Sequence, residues 1–328
     1  VKGGAPYAAL GLGETDPRAG LLRFGADAMA TVFEVICAHP DARYAGQAAH
    51  AAFEEVHRLE QALSRFRPNS DVSRASALAA GETTRVGPST MECLALARVL
   101  FELTRGAFDV SIGTGLDGLD LDPDSLAVHA RSEGIRLDLG GIGKGYAVDR
   151  MADVLDEWGV ERALLHGGFS SVLALEPPPG TDGWPLTLSA PGKREAPALE
   201  RLSARRCALS ASGTRKGDHV VDPRSGRPVR ERSAWVAVPC RPARRPEGTS
   251  AEGWPDLERS PAAVAEGLST AFMVLDEAEV GALCRLAPGV RAWLATDAPG
   301  GGPPALVRFG VSDAGPDPGG APPAPPRP

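Results

Sequence analysis

"LDLGGIGKGYAVDR", residues 137–150, sets four glycines and a lysine between an apolar stub and an amphipathic stretch. A glycine-rich turn that opens a helix is a natural anion site, because the first helical N–H groups lack partners and the helix dipole favours negative charge there. Two familiar phosphate loops fail on spacing. A P-loop needs glycine five positions before the Gly of Gly-Lys, and Ser or Thr after the lysine. Here those positions hold Asp138 and Gly145. The dinucleotide fingerprint G-x-G-x-x-G, counted from Gly141, would end on Tyr146. Two readings stay open for the stretch alone: a phosphate loop of another kind, or a strand-to-helix turn whose small residues allow close packing.

On either side of this loop the chain breaks into short strands and amphipathic helices. "LLRFGADAMATVFEVICAH" reads as two strands around Met29, with the β-formers Val32, Phe33, Val35 and Ile36. A helix follows from about Arg43 to Phe66, with Phe53, Val56, Leu59 and Leu63 on one face. "STMECLALARVLFELTRG" is a second helix, where Ser89 and Glu92 form a capping box and Gly106 a stop. Residues 125–139 read as a hairpin of "LAVHA" and "IRLDL". The helix after the glycine loop is expected to bury Val148, Met151, Leu155 and Trp158 and to end at Gly159. "ALLHGGFSSVLAL" is strand, glycine turn, strand, and "DPRSGRPV" an Asp-Pro turn after a strand near Val220. Ser260 and Pro261 open a further helix, running to about Leu275.

Length and composition bound the rest. At 328 residues and 43% hydrophobic, the chain can bury a substantial core. A net charge of −7 without a long basic run argues against nucleic acid as main partner. No apolar run approaches membrane-spanning length. Five scattered cysteines without C-x-x-C argue against a zinc site or disulfide framework. Residues 1–20 are expected to lack order, 21–310 to form one domain, and 311–328 to be a disordered Pro/Gly-rich tail. No charged-then-apolar leader or lipidated cysteine stands at Val1, so the chain as given reads as cytoplasmic, with an exported form left open. Strands and helices without βαβ regularity predict an α+β fold with a mixed sheet and packed helices.

Six stretches in order carry a family resemblance: "MATVFEV" (29–35), "LSRFRPNSDVSR" (63–74), "GAFDVSIG" (106–113), "LDLGGIGKGYAVDR" (137–150), "HVVDPRSGRPV" (219–229) and "LSTAFMVL" (268–275). Together they resemble the ApbE-type flavin transferases, FAD:protein FMN transferases. The resemblance implies a flavin transferase-like fold and Mg²⁺-dependent transfer of FMN from FAD to a Thr or Ser hydroxyl of a client flavoprotein, releasing AMP. It places Met29, Phe66, Ala107, Phe108, Asp109, Asp138, Lys144 and Val221 around FAD, and Gly141, Glu266, Ser269 and Thr270 around the metal. His219 and Asp222 become candidates to deprotonate the incoming hydroxyl, and Lys144 to offset phosphate charge.

The residue types suit that chemistry. Breaking a pyrophosphate spreads charge over phosphoryl oxygens, which positioned charges stabilise. Glu266 and Thr270 lie four apart on one helical face and can present a carboxylate and a hydroxyl together. Plainer readings stand beside these: Asp109 and Asp138 as turn or cap residues, Glu266 as the exposed face of an apolar helix, Phe66 as half core. Three departures matter: Glu266 stands where the family carries Asp, "HGGFSS" where its glycine turn carries Asn and Asp, and the insert after "GAFDVSIG" is shortened. They raise a second hypothesis, an FAD-binding protein without transferase activity or one that only hydrolyses the pyrophosphate. A serine hydrolase built on "GFSSV" or "GLSTA" lacks the G-x-S-x-G spacing.

Overall fold

The β-formers on either side of Met29 fold into a hairpin, and that hairpin is one edge of the main sheet. The computed structural model describes residues 10–12, 20–189, 198–213, 220–229, 232–240, 259–296 and 305–310. Strands Leu22–Ala28 and Thr31–Cys37 pair from Leu22 opposite Cys37 to Ala28 opposite Thr31. Inward from Thr31–Cys37 the sheet continues through Ala163–Gly167, Ser171–Ala174, Cys207–Gly213, Arg232–Pro239, Arg291–Thr296 and Ala305–Phe309. The α+β class is as read from the sequence. In place of a mixed sheet, every described pairing is antiparallel, including Thr31–Cys37 with Ala163–Gly167, neighbours in the sheet that lie far apart in the chain.

Both faces of this sheet are covered. Along Arg232–Pro239, Ala234, Val236 and Val238 face a large core under the helices, while Trp235 and Ala237 face a second core. That second core is closed by Trp184, Leu186 and Leu188 of a small sheet, Leu10–Leu12, Trp184–Ser189 and Ala198–Ala204. Leu10–Leu12 therefore pairs within the segment expected to lack order. Burial on both faces explains why the central strands read as apolar runs.

Six helices complete the described structure: α1 (Ala42–Leu63), α2 (Asp71–Ser76), α3 (Pro88–Leu103), α4 (Gly143–Glu157), α5 (Pro261–Phe272) and α6 (Glu277–Leu286). None is long and apolar enough to cross a membrane. α1 buries Phe53, Val56, Leu59 and Leu63 as the 3.6-residue pattern predicts. α5 is the hub of the large core: every residue but Thr270 is buried. A β-carbon on Gly145 of α4 would sit 2.3 Å from the Ala262 carbonyl oxygen, so the two helices meet at a distance only glycine permits. Asp149 of α4 accepts from the N–H groups of Ala262 and Ala263 at 2.9 and 2.8 Å, capping α5 from outside. Ser260, expected to cap α5, makes no side-chain cap bond there.

Two local expectations give way to longer-range contacts. α3 begins at Pro88 with Gly87 as its cap, so the Ser89–Glu92 box does not form. Glu92 instead accepts from the Tyr146 hydroxyl at 2.6 Å, and Ser89 accepts from Arg58. Ala127–Ala130 pairs with Leu119–Asp122 and Thr83–Arg85 rather than with 135–139, which runs on without strand pairing into the glycine loop. The alternating "LDLD" of 119–122 supplies the strand that "IRLDL" resembles.

Two buried groups, His166 and Asp149, make the fold pH-sensitive with opposite signs. His166, in strand Ala163–Gly167, is 4% exposed and its Nε2 has no partner among the described residues. Burial, with Arg23 nearby, pushes its pKa from 6.5 down to about 4. Between those values the unfolded chain binds a proton at His166 that the folded chain refuses, so the His166 contribution to stability falls as pH drops from 6.5 to 4. Burial pushes the Asp149 pKa from 3.8 up to about 8, a linkage of opposite sign over the same range. The His166 contribution is therefore read as a difference: urea unfolding is expected to show wild type losing stability relative to His166→Gln between pH 6.5 and 4, by up to about 1.4 kcal/mol per pH unit.

Candidate functional site

The glycine loop is held open by one aspartate. Asp138 Oδ1 accepts from the Gly140 N–H at 2.8 Å, Oδ2 lies 3.1 Å from Arg65 Nε, and the Asp138 N–H donates to the Val110 carbonyl at 2.7 Å. The last bond ties the loop to segment 106–113. Gly141 faces that segment and α5 at once: a β-carbon there would lie 3.3 Å from the Phe108 ring and 3.6 Å from Thr270 Oγ1. Ala107 and Phe108 are buried behind the loop as its wall. Asp109 turns inward on its own segment, accepting from Ser111 N–H and Oγ at 2.7 Å each and from Gly113 N–H at 2.8 Å.

At the start of α4, Lys144 Nζ donates to the Glu266 carboxylate and to the Gly140 carbonyl, the latter at 3.1 Å. The other Glu266 oxygen accepts from the Gly145 N–H at 2.6 Å. Glu266, 4% exposed, is therefore no exposed-face residue. α5 is packed all round and has no solvated face to offer it. One turn on, the Ser269 and Thr270 hydroxyls donate to the Glu266 carbonyl at 2.9 and 3.1 Å, and Ser212 Oγ lies 2.9 Å from Ser269 Oγ. Ser269, buried inside α5, is not a nucleophile on an elbow.

The Asp-Pro turn docks on the opposite side. Val221–Asp222 pairs with Arg227–Pro228, and Asp222 accepts from the Arg224 N–H, Arg224 Nε and Ser225 Oγ at 2.9, 3.1 and 3.1 Å. Partial burial pushes the Asp222 carboxyl up, but these bonds outweigh it and hold it below its ordinary value. A carboxylate so occupied is a weak base and a good turn clamp. The Pro223 carbonyl lies 2.9 Å from where a Gly113 β-carbon would be, so the turn abuts segment 106–113. A shallow cavity of about 270 Å³ between them is lined by Phe101, Arg105, Asp109, Leu116, Pro223 and Arg224. His219 lies outside the described residues.

Two further expected residues sit on turns. Met29, with Ala30, has positive φ (49° and 57°), a left-handed pair without glycine. The next residue, Thr31, packs on the Gly168 turn beside the start of α4. Phe66 is 81% exposed, with the Arg65 guanidinium 4.5 Å above its ring. It contributes nothing to the core because α1 ends at Leu63, which fills the core position instead. The structure thus gathers Phe108, Asp138, Gly141, Lys144, Glu266, Ser269 and Thr270 into one junction, with Asp109, Val221 and Asp222 on its flank. Ser212 and Arg65 are additions. Ser210 and Ser212, spaced by two on an otherwise apolar strand, are the signal that could have found the first.

The donor set does not fit a hard dication. Mg²⁺ needs near-octahedral oxygen ligands, commonly with one or two free carboxylates. Here both Glu266 oxygens are engaged, one by an ammonium, and the Ser269 and Thr270 protons are directed at a carbonyl. No group of three His, Cys, Asp or Glu side chains among the described residues is arranged to hold a metal.

Comparison with known proteins assigns the class. The α+β fold with this cleft is that of flavin transferases. The structure superposes on flavin transferase ApbE from Vibrio cholerae with TM-score 0.71 and 19% identity, covering 88% of this chain and 97% of that one. It superposes equally on the apo form of Pseudomonas stutzeri flavinyl transferase ApbE, TM-score 0.70 and 22% identity, covering 88% and 94%. In sequence, the FAD:protein FMN transferase of Vibrio cholerae is 24% identical over 263 residues, 68% of this chain and 71% of that protein. The Treponema pallidum protein of the same name is 28% identical over 296 residues, 74% and 76%. The ApbE family model matches residues 29–123 and 113–251. The chain belongs to the ApbE family.

The ion pair at the centre of the site gives a direct test. Lys144→Met leaves a buried, uncompensated carboxylate and is expected to cost about 3 kcal/mol of stability. The double variant Lys144→Met/Glu266→Gln is expected to recover most of it, read as a coupling energy from urea unfolding of the four proteins.

Proposed function

We propose that this chain takes FAD as its substrate and transfers the FMN half to a Thr or Ser hydroxyl of a client flavoprotein, releasing AMP. The observation that carries the reading is the junction itself: a glycine loop and a lysine at a helix start, walled by Phe108, whose segment 106–113 also meets the Asp-Pro turn. It supports an elongated anionic nucleotide better than a compact substrate. The names of the family relatives point the same way.

In this mechanism the acceptor oxygen attacks the FMN phosphorus, a phosphoester bond forms, and the anhydride P–O bond to AMP breaks. The hydroxyl proton passes to a base and AMP departs with the electron pair of the broken bond. The first turn of α4 presents the N–H groups of Gly143 and Lys144 toward the phosphates. Lys144 offsets charge that grows on the phosphoryl oxygens. His219, three residues before Asp222 in sequence, is the proposed base, and Asp222 clamps the Asp-Pro turn. Mg²⁺, implied by the resemblance, finds no free carboxylate at this junction, and no step is assigned to it.

A second reading, an FAD binder without transfer, draws on the same observation, because a carboxylate neutralised by lysine is removed from catalysis. One experiment separates the two. Incubation with FAD and a flavoprotein acceptor is expected to add the mass of FMN to the acceptor and to release AMP in equal amount. His219→Ala is expected to lower turnover about 10²-fold or more with little change in FAD affinity. FAD binding without mass gain supports the passive binder; AMP without mass gain supports hydrolysis.

A further inference from the structure

The family resemblance implies a metal dication at the point where this structure places an ammonium. Lys144 Nζ meets one Glu266 oxygen directly, and the Gly145 N–H holds the other at 2.6 Å. Glutamate is what makes both contacts possible. An aspartate at 266 would end one C–C bond, about 1.5 Å, short of its partners. The pair is not a loose surface contact, since the Glu266 side chain is only 6% exposed. The α4–α5 contact at Gly145 and Ala262 fixes the carboxylate in register with the lysine.

The lysine retains capacity for a ligand. An ammonium has three N–H donors. Glu266 and the Gly140 carbonyl accept two. The side chain is 24% exposed, so it is partly open to solvent beside the glycine loop. The other oxygens present are poor replacements for a metal shell: the Ser269 and Thr270 hydroxyls point their protons at the Glu266 carbonyl. Asp138 and Asp109, the nearest further acids on the loops, are held by Arg65 and Gly140 and by Ser111 and Gly113. A dication added here would face the lysine's charge across one shared carboxylate.

We propose that the Lys144–Glu266 ion pair occupies the cation position, so that this chain binds the pyrophosphate of its dinucleotide without a divalent metal. The inference rests on the reading of FAD as the anionic ligand. The third Lys144 N–H meets a phosphate oxygen, and the first N–H groups of α4 meet its neighbours. Glu266 keeps the ammonium charged and aimed rather than binding an ion itself.

The test is a flavin-fluorescence titration of the full chain with FAD, in EDTA and in millimolar MgCl₂. The FAD Kd is expected to change by less than about twofold between the two. In Glu266→Asp the lysine loses its partner and the shorter carboxylate is freed. There, FAD affinity is expected to fall about tenfold in EDTA and to return with Mg²⁺. Wild-type binding that is lost in EDTA and restored by Mg²⁺ overturns the proposal while leaving the FAD reading intact. Absence of FAD binding in both conditions overturns the FAD reading and the proposal with it. A Glu266→Asp variant that binds FAD but ignores Mg²⁺ overturns the assignment to this pair. Should that variant not fold, Mn²⁺ added to the wild-type FAD complex decides: its electron paramagnetic resonance signal is expected to remain that of free aquo-Mn²⁺, and a bound signal overturns the proposal.

Discussion

One buried carboxylate organises this molecule. Glu266 sits on a helix with no solvent face and joins that helix to the next by a backbone N–H and a lysine. An unpaired charge in such a place costs several kcal/mol. The start of α4 is therefore obliged to stand against α5, and the glycine loop that precedes it is obliged to turn over Phe108. The absence of a β-carbon at Gly145 permits the contact, and Asp149, about one turn further along α4, closes it by capping α5.

The other acids of the cleft follow one plan. Asp109, Asp138 and Asp222 each accept a backbone N–H from a residue two positions ahead and each stabilise a loop by doing so. Such turns are what short acidic side chains form readily. The carboxylates that the resemblance places around FAD, Asp109 and Asp138, and the candidate base Asp222 thus all stabilise loop shape. Among the described residues, the helix start and Lys144 are left less occupied by such turns.

Much of this was legible in the chain. The hairpin around Met29, α1 and the glycine loop opening α4 all follow from apolar periodicity and glycine placement. The resemblance groups Gly141, Glu266, Ser269 and Thr270, which the fold does bring together, but sets Lys144 apart with the FAD residues; its pairing with Glu266 is visible only in the structure. Failures arose where a local rule met a distant partner. Glu92 fits a capping box, yet Tyr146 and Arg150, far along the chain, hold it instead. Glu266 fits the exposed side of an amphipathic helix only if that helix has an exposed side, and sequence carries no direct record of what covers α5. The core half of the Phe66 reading fails because α1 ends at Leu63, three residues before the helix end expected from the sequence.

The position of α5 along the chain carries a consequence for biosynthesis. Its residues emerge after the strands it packs on, Cys207–Gly213 and Arg232–Pro239, and long after α4. A nascent chain that ends before residue 261 has the glycine loop but not Glu266, and its α4 start faces an unfilled core. The Lys144–Glu266 junction and the centre of the large hydrophobic core are consequently completed only late in synthesis, and residues 275–294 add to that core later still. An amino-terminal fragment lacking α5 would expose apolar surface to aggregation and chaperone binding, with no partly functional intermediate on the way.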